Sequence, residues 1–395
     1  MKISISNSLS YDTSTWEQHK LGELLNYEQP TKYIVKDTKY STSACVPVLT
    51  AGKSFILGYT NEKDNIKIAT RKSPIIIFDD FTTSCHLVDF SFKVKSSAIK
   101  LLSTRNNKND IIYSYYLLKK LNYVPEGHER HWISIFSKSK VYTAKISEQK
   151  RISQIMKAIN SLSTLQERKL ELYKQLKKYL LQKMFANEQE KVPKIRFKGF
   201  DEDWKKKKLG EIMEVSSVKR VHQSDWTNKG VRFFRARDIV SISKHIEPSE
   251  KIYIPFELYN KLSKISGKVK IGDLIVTGVG SIGIPLLIRD TNPIYFKDGN
   301  IIWFKNSGKI FGEFFYYSFI GSNIQKYIHI SSGSGTVGTY TINSGKITPI
   351  GLPKYEEQVK VGSTLKRINE NINFNMNKNK LYKQLKQYLL QNLFC

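Results

Sequence analysis

The sequence predicts an α+β protein built as a pseudo-two-fold tandem duplication, in which two similar globular domains are joined by a pair of long antiparallel helices that form a coiled coil. The last fifteen residues, LYKQLKQYLLQNLFC, match residues 172–186, LYKQLKKYLLQKMFA, at eleven positions without a gap and at an offset of 209 residues. An earlier segment, WEQHKLGE from residue 16, returns as WKKKKLGE from residue 204. The order is therefore head, variable block and constant helix, repeated once.

Each repeated tail predicts a long helix. Residues 148–186 contain neither proline nor glycine, and apolar residues recur at steps of three and four, as on one stripe of a helix. At about 1.5 Å per residue, a helix of this length spans roughly 58 Å. The two predicted stripes consist of Ile152, Ile155, Ile159, Leu162, Leu172, Leu176 and Leu180, and of Val361, Leu365, Ile368, Ile372, Leu381, Leu385 and Leu389.

A lone helix of this kind cannot bury its stripe. A coiled coil with an unrelated partner protein is one solution, but two copies in one chain favour pairing with each other as a rigid spacer. The predicted organisation is a first globular domain (1–147), a first spacer helix (148–186), a linker (187–203), a second globular domain (204–355) and a second spacer helix (356–395).

The variable blocks, residues 25–145 and 213–352, are rich in short β-branched and aromatic runs separated by Gly, Pro, Asn and Ser. Each block then reaches a turn and an aromatic helix, near residue 111 and near residue 314. We therefore expect one fold with two different surfaces. Leu352-Pro353 precedes the second long helix where Ala144-Lys145 precedes the first, so we expect the first helix to begin less sharply.

Composition indicates a globular protein that binds a polyanion. The chain is 40% hydrophobic and 12% aromatic, and 64 Lys and Arg against 35 Asp and Glu leave a net charge of +29. Such an excess favours nucleic acid as the partner, although a membrane surface shares the sign. The sequence shows no signal-peptide pattern and no apolar run of membrane-spanning length, so we expect a cytoplasmic protein with no membrane partner. Cys45, Cys85 and Cys395 are far apart and predict no metal site.

Several apparent catalytic motifs fail on inspection. Gly52-Lys53-Ser54 imitates a phosphate-binding loop, but the leading glycine would fall at Pro47, which has no N–H. The Gly-rich segment 278–283 continues into an apolar run rather than a helix, so a strand, turn and strand are predicted. His128 and His131 have metal-ligand spacing but no further ligands nearby. The sequence therefore offers no catalytic residues.

The duplicated plan resembles the specificity subunits of type I restriction–modification systems over essentially the whole chain. The residues that carry the resemblance recur in the same order in both halves. They are the Trp-x4-Leu-Gly-Glu heads (Trp16 and Leu21-Gly22-Glu23; Trp204 and Leu209-Gly210-Glu211), the Glu-Gln pairs that start the helices (Glu148-Gln149; Glu357-Gln358), the Leu-x3-Leu-x3-Leu tails, and the block motifs Val48–Lys53, Ile75–Phe81, Gly272–Ile275 and Gly280–Gly283.

The resemblance implies a reader and scaffold rather than an enzyme. Each variable block would be a target recognition domain that reads one half of a bipartite site in double-stranded DNA, and the helices would set the gap between the halves. Two modification (methyltransferase) subunits would dock on the helices and bring S-adenosylmethionine as their own cofactor, so none is expected in this chain. Restriction (endonuclease) subunits would complete the complex.

The candidate DNA contacts are basic and polar residues of the two blocks. Arg235 and Arg237 alternate with Phe234 and Ala236, which predicts that both lie on the polar face of a strand. An ordinary surface charge or an internal ion pair near Asp238 is the alternative. The full set is Lys53, Arg71, Lys72, Arg105, Arg130, Arg232, Arg235, Arg237, Lys244, Lys268 and Ser281.

Two other functional classes stay open from the residues alone. A solitary DNA-modifying enzyme is disfavoured because no methyl-donor motif accompanies Asn292-Pro293-Ile294-Tyr295, which resembles an adenine-holding tetrapeptide with Ile in place of a second Pro. A coiled-coil adaptor that binds nucleic acid is disfavoured because the two variable blocks are large. Incubation of the single chain with DNA and a labelled methyl donor separates the first class from a reader, and comparison of duplex DNA with RNA separates the second.

Overall fold

The computed structural model describes residues 16–394 except residues 38, 53, 122, 124, 126–129, 188, 307 and 334–337. The chain forms two compact units. The first contains Met1–Glu167 and Lys378–Cys395, and the second contains Arg168–Asn377. Each unit therefore combines one variable block with the beginning of its own long helix and the end of the helix from the other repeat. No helix of the described residues is long and apolar enough to cross a membrane.

The described residues of the first unit form nine strands and the beginning of the first long helix. The strands are β1 (Glu17–Lys20), β2 (Leu25–Glu28), β3 (Val46–Leu49), β4 (Ile56–Thr60), β5 (Ile75–Asp79), β6 (Cys85–Val88), β7 (Lys93–Val94), β8 (Ile99–Thr104) and β9 (Lys140–Thr143). The helices are α1 (Leu21–Leu24), α2 (Ile111–Lys120), α3 (His131–Ser134) and the long helix α4 (Ile146–Lys183), with short 3₁₀ turns at Thr31–Tyr33 and Phe136–Lys138.

In the second unit, the part of the chain that the structure describes forms a further nine strands. They are β10 (Lys205–Lys208), β11 (Glu214–Ser216), β12 (Val231–Phe234), β13 (Ile252–Ile254), β14 (Leu274–Thr277), β15 (Pro285–Leu287), β16 (Ile294–Phe296), β17 (Ile301–Lys305) and β18 (Pro349–Leu352). The helices are α5 (Leu209–Ile212), α6 (Ala236–Ser243), α7 (Phe256–Ser266), α8 (Gly312–Ile320), α9 (Ser322–Ser331), α10 (Ile342–Ile347) and the long helix α11 (Tyr355–Asn392), with a 3₁₀ turn at Gln223–Asp225.

The two units share one sheet topology. The orders β1-β9, β2-β8-β5-β6 and β4-β3-β7 in the first unit match β10-β18, β11-β17-β14-β15 and β13-β12-β16 in the second. The senses of pairing match as well, because the central strand of each three-stranded sheet pairs antiparallel with the next strand and parallel with the third. The predicted α+β duplication is confirmed. The second unit adds α6, α7 and α9 in its connections.

The four-stranded sheet of each unit separates two hydrophobic cores. Side chains alternate across a strand, so Ile76 and Phe78 of β5 pack into the core that contains α2 and α4, while Ile75 and Ile77 face the core under the three-stranded sheet. Strand β14 does the same in the second unit, with Val276 on one side and Ile275 on the other. Burial on both faces explains why these strands read as continuous apolar runs.

The head motif Leu-Gly-Glu is a folding motif. Leu21 is fully buried and donates its N–H to Ser139 O at 3.0 Å, and Glu23 accepts the Lys20 N–H at 3.0 Å. A Cβ on Gly22 would lie 2.9 Å from Ser137 O, so the close approach of the two chain segments requires glycine. The second head repeats this arrangement, since Leu209 is fully buried and donates to Thr348 O at 3.0 Å. The constant heads therefore hold the last strand of each block.

Both long helices begin in the same way. A buried glutamine, Gln149 or Gln358, accepts the N–H of the residue preceding helix α2 or α8 at 2.9 and 3.0 Å, and its amide donates to Ala144 O or Pro353 O. The helices are equally long, 38 residues each, or about 57 Å. The prediction that the first helix begins less sharply was wrong, because the glutamine and not the Leu-Pro pair defines the start.

The predicted apolar stripes are only partly correct. On α4 the residues Ile152, Met156 and Ile159 are buried, whereas Ile155 and Leu162 are exposed. The true buried face includes Gln149 and Ser153, whose polar side chains form hydrogen bonds to the start of α2. A prediction from the positions of apolar residues does not include them. The distal residues Leu172, Leu176, Leu381 and Leu385 are also exposed.

Within each unit the two long helices run antiparallel. In the first unit Lys386 Nζ donates to Asn160 Oδ1 at 2.7 Å and Lys383 pairs with Glu167. Residue numbers therefore fall along α11 as they rise along α4, so the two helices run in opposite directions. In the second unit Lys177 Nζ donates to Asn369 Oδ1 at 2.6 Å. The two Lys–Asn pairs consist of residues that correspond at the 209-residue offset. Burial lowers the pKa of both lysines.

The end of each helix completes the core of the other repeat. Phe394 stacks on Tyr113 at 5.1 Å between ring centroids, and Tyr113 in turn meets Trp16 edge-on at 6.3 Å. In the second unit Phe185, Trp204 and Phe314 form the equivalent cluster, with centroid separations of 5.5–6.2 Å. The tryptophan that recurs in each head therefore packs with the phenylalanine that recurs in each tail.

Replacement of the bridging glutamine tests this frame. Gln149→Leu leaves the N–H of Asp110 without its acceptor inside the protein, and we expect a loss of roughly 1–3 kcal/mol in the free energy of unfolding. Gln154→Leu, on the exposed side of the same helix, should change it by less than about 0.5 kcal/mol. Urea unfolding of both variants makes the comparison, and equal stabilities would contradict the bridging role.

Candidate nucleic-acid interface

Seven of the eleven candidate residues fall in connections that are equivalent in the two units. Lys53 belongs to the connection between β3 and β4, and Arg235, Arg237 and Lys244 belong to the matching connection between β12 and β13. The next connection contains Arg71 and Lys72 in the first unit and Lys268 in the second. Candidates chosen separately in each block thus share two positions in the topology. We define these two connections as the variable connections of each unit (residues 50–55 and 61–74; residues 235–251 and 255–273).

The variable connections of the first unit are short and held in place. Lys53 lies outside the described residues, but the ends of its loop are joined by the Thr50 N–H bonded to Phe55 O at 3.0 Å. The Phe55 ring stacks on His86 at 4.6 Å. Arg71 and Lys72 are both exposed at the tip of a turn that is closed by reciprocal bonds between Thr70 and Ser73.

Two further candidates of the first unit lie elsewhere. Arg105 is exposed directly after β8, where its N–H bonds to Leu24 O at 3.0 Å. Arg130 is exposed at the start of α3. Neither belongs to the variable connections, so the structure does not group them with Arg71 and Lys72.

The prediction that Arg235 and Arg237 lie on a strand was wrong. Strand β12 ends at Phe234, Arg235 is the residue before helix α6, and Arg237 is in the first turn of that helix. The Arg-x-Arg alternation imitates a strand, but Asp238 accepts the Arg235 N–H at 2.8 Å and so starts a helix there.

Arg235 has a structural role. Its side chain is 12% exposed and bonds to Asp238 and to Glu250, at 3.0 Å in both cases. Burial acts to lower the pKa of Arg235, but the two carboxylates outweigh it and the pKa is raised. Arg237 also pairs with Glu250, at 2.5 Å, yet 63% of its side chain is exposed. Arg235 therefore forms an internal ion pair. Of the two arginines, Arg237 is the one that is accessible to a ligand.

The remaining candidates of the second unit differ in accessibility. Arg232 is partly buried, donates to Ile252 O at 2.8 Å and lies over the rings of Phe234 and Tyr253, so it braces β12 against β13. Lys244 is exposed at the end of α6, and Lys268 is exposed with its ammonium 5.7 Å from the ring centroid of Tyr259.

Ser281 is exposed in the predicted strand–turn–strand, which is confirmed because β14 and β15 pair antiparallel on either side of it. The turn is fixed from within, since Thr277 Oγ1 accepts the Ile284 N–H at 3.0 Å and donates to Ser281 O at 2.5 Å. Gly280 and Gly283, at φ of 75° and 74°, adopt the left-handed conformation that this turn needs.

The described residues contain no group of three or more His, Cys, Asp or Glu side chains that could hold a metal ion. His131 is buried and its Nδ1 lies 2.9 Å from Asp80 O, which is a structural contact. His128 lies outside the described residues.

Sequence reasoning missed two surfaces. Lys261 and Lys264 are exposed near Lys268 in the second unit, and the signal was the density of lysines between residues 261 and 270. The other surface is apolar. Equivalent residues on the distal parts of the long helices remain 38–57% exposed, and they were assigned to the buried stripe or left out. They are Leu172, Leu176 and Tyr179 on α4, and Leu381, Leu385 and Tyr388 on α11.

Comparison with known proteins identifies relatives of this chain. Residues 13–175 match the family described as type I restriction modification DNA specificity domain. A stretch of 124 residues is 52% identical to the EcoR124I/EcoR124II specificity subunit of Escherichia coli, and it covers 31% of this chain and only 30% of the length of that subunit. The MjaVIII specificity subunit of Methanocaldococcus jannaschii is 23% identical over 322 residues, 77% of this chain and 74% of that subunit.

Solved structures share the fold. The type I restriction–modification S subunit from M. genitalium superposes with a TM-score of 0.67 at 14% identity, covering 100% of this chain and 98% of that one. A chain from a structure concerned with complex assembly and conformational transition of the type I system gives a TM-score of 0.51 at 13% identity, covering 96% and 97%.

The different surroundings of Arg235 and Arg237 predict different effects on stability. Arg235→Ala leaves the buried Asp238 without its guanidinium partner, and we expect the free energy of unfolding to fall by about 3 kcal/mol. Arg237→Ala removes a solvent-exposed pair and should cost no more than about 1 kcal/mol. Thermal melting of the two variants beside the unsubstituted chain measures the difference. A larger loss for Arg237→Ala than for Arg235→Ala would refute the assignment.

Proposed function

We propose that the chain is a specificity subunit of a type I restriction–modification system, since residues 13–175 match that family and its fold is shared with such a subunit. On this basis each of its two units reads one half of a bipartite sequence in double-stranded DNA. One observation carries the proposal. The units have the same sheet topology but unlike variable connections, so a common frame presents two different surfaces. Two different surfaces select two different half-sites, and sequence is read where side chains reach base edges.

The charge of the chain supports a nucleic-acid partner. A net charge of +29 attracts the phosphate backbone, which supplies most of the affinity but no sequence information. In the variable connections Arg71, Lys72, Arg237, Lys244 and Lys268 are exposed. Among the exposed cations of the second unit we propose Arg237 as the base contact, because a guanidinium can donate two parallel hydrogen bonds to guanine. The length of the long helices would set the number of base pairs between the half-sites.

The long helices supply the second part of the proposal, which is the docking of two modification subunits. The exposed apolar residues on α4 and on α11 are two leucines and a tyrosine at corresponding positions. Exposed apolar side chains that recur on a constant element mark a binding surface for a partner rather than for DNA. Two equivalent surfaces fit two copies of one partner.

The chemistry would belong to the partners. We propose that the modification subunits bind S-adenosylmethionine and methylate the two half-sites, that restriction subunits complete the complex, and that this chain carries no catalytic residue. Its role is to select the sequence and to hold the catalytic subunits.

Binding without chemistry is the first expected outcome. The purified chain should bind duplex DNA, with an affinity that falls steeply as salt rises, because each neutralised phosphate releases counterions. It should transfer no methyl group from S-adenosylmethionine until modification subunits are added. Fluorescence anisotropy and incorporation of labelled methyl groups measure the two properties. Methylation by the purified single chain would overturn the proposed division of labour.

Substitution of the exposed helix residues tests docking. Leu172→Gln, Leu176→Gln and Tyr179→Gln together should weaken the binding of one modification subunit by roughly 10- to 100-fold, because interface anchors of this kind carry most of the binding energy. Replacing the corresponding residues of α11 as well should weaken the binding of the second subunit to the same extent. The matched control replaces Ile246, Ile330 and Ile347, which are 54–68% exposed, with Gln. Native mass spectrometry counts the bound subunits, and unchanged stoichiometry in the first variants would contradict the proposal.

A further inference from the structure

Four lysines of the second unit form a basic surface around the end of helix α7. Lys261 and Lys264 lie on α7, Lys268 lies directly after it, and all three are exposed. Positions 261 and 264 are spaced by three residues, which places them on one side of α7. The fourth, Lys219, comes from a distant segment. Its N–H donates to Ser266 Oγ at 2.9 Å, at the last residue of α7. We call these four residues the α7 lysine surface.

The charges of the α7 lysine surface are uncompensated. Within the part of the chain that the structure describes, none of its four ammonium groups has a carboxylate within 4.0 Å. Neighbouring cations of the same unit are paired, as Arg220 is with Asp298, Lys251 with Glu247 and Lys305 with Glu214. Cations left unpaired side by side repel each other, and an anionic ligand would relieve that repulsion.

The place of the surface in the fold points to DNA. Helix α7 occupies the second variable connection, between β13 and β14, and the equivalent connection of the first unit presents Arg71 and Lys72 at its tip. Both units therefore display exposed cations at the same topological position, although one uses a helix and the other a turn. The exposed cations recur in both units although the local structure differs. We therefore expect them to bind a feature of the ligand that is the same for both units. The phosphate backbone is that feature, because it does not vary with sequence.

Two simpler explanations account for less. Lysines near the end of a helix stabilise its dipole, but this applies only to the last turn, where Lys264 lies. Lysines also keep exposed surfaces soluble, but that purpose does not require two distant segments that carry lysines to be joined by a hydrogen bond at Ser266.

We propose that Lys219, Lys261, Lys264 and Lys268 form a phosphate-binding surface that holds duplex DNA against the second unit without reading its sequence. This inference rests on the proposed function, since it assumes that the units bind DNA. It assigns the backbone contacts to the end of α7 and leaves base reading to other residues of the variable connections.

The test compares two variants of the full chain with the same reduction in charge. The first carries Lys219→Gln, Lys261→Gln, Lys264→Gln and Lys268→Gln. The control carries Lys205→Gln, Lys207→Gln, Lys208→Gln and Lys326→Gln, which removes four exposed lysines of the same unit from strand β10 and helix α9. A third variant replaces the α7 lysine surface with arginines and keeps the charge. Binding to a random-sequence duplex is measured by fluorescence anisotropy over a range of salt concentrations, with thermal melting as the check on folding.

We expect the first variant to bind at least about 10-fold more weakly than the control. Its slope of log affinity against log salt should become shallower by about 0.9 for each phosphate that the substituted lysines no longer neutralise. The arginine variant should bind as the unsubstituted chain does, and the methylated sequence of a complex that contains it should not change.

If the first variant and the control lose the same DNA affinity, the proposed phosphate-binding surface is refuted, because the loss would then follow from total charge. If the unsubstituted chain binds DNA and the first variant binds equally well, this inference alone fails. If the unsubstituted chain binds no duplex, the proposed function fails with it.

Discussion

The structure depends on the packing of each helix end into the block of the other repeat. Phe394 stacks on Tyr113, and Phe185 packs against Phe314 and Trp204. Without these rings, each block would expose the aromatic face of its own helix, α2 or α8, to water at a cost of several kcal/mol. Neither repeat is therefore complete alone. This requirement explains why heads and tails are the segments in which the two repeats agree.

The constant frame stabilises each block and leaves the connections between the strands free to vary. Leu21, Gly22 and Gln149, with their counterparts in the second repeat, fix the first and last strands of each block to its long helix. The connections between the strands bear none of these contacts, so they can change in length and charge. The second unit uses that freedom for α6, α7 and α9. A protein that keeps its frame and varies its connections can change its surface without changing its core.

The sequence predicted the architecture better than the surface. The sequence predicted the duplication, the long helices, the strand–turn–strand at 278–283 and the equivalence of the two blocks. These features are predictable because repeats and periodicity report directly on chain organisation. The buried face of α4 was misjudged, since Gln149 and Ser153 are buried through hydrogen bonds that hydrophobicity does not reveal. Arg235 was misplaced because two residues of strand-like alternation cannot outweigh a helix start that the Asp238 carboxylate caps. The α7 lysine surface needed the structure, as Lys219 reaches it from 42 residues before Lys261.

The central claim is that each unit independently reads one half of a split DNA target. The most direct measurement replaces residues 25–145 with the corresponding block of a related specificity subunit and maps methylated bases by single-molecule sequencing in cells that contain the complete system. The account predicts that one half of the methylated motif changes while the other half and the gap remain. A motif that changes in both halves, or in neither, would contradict it.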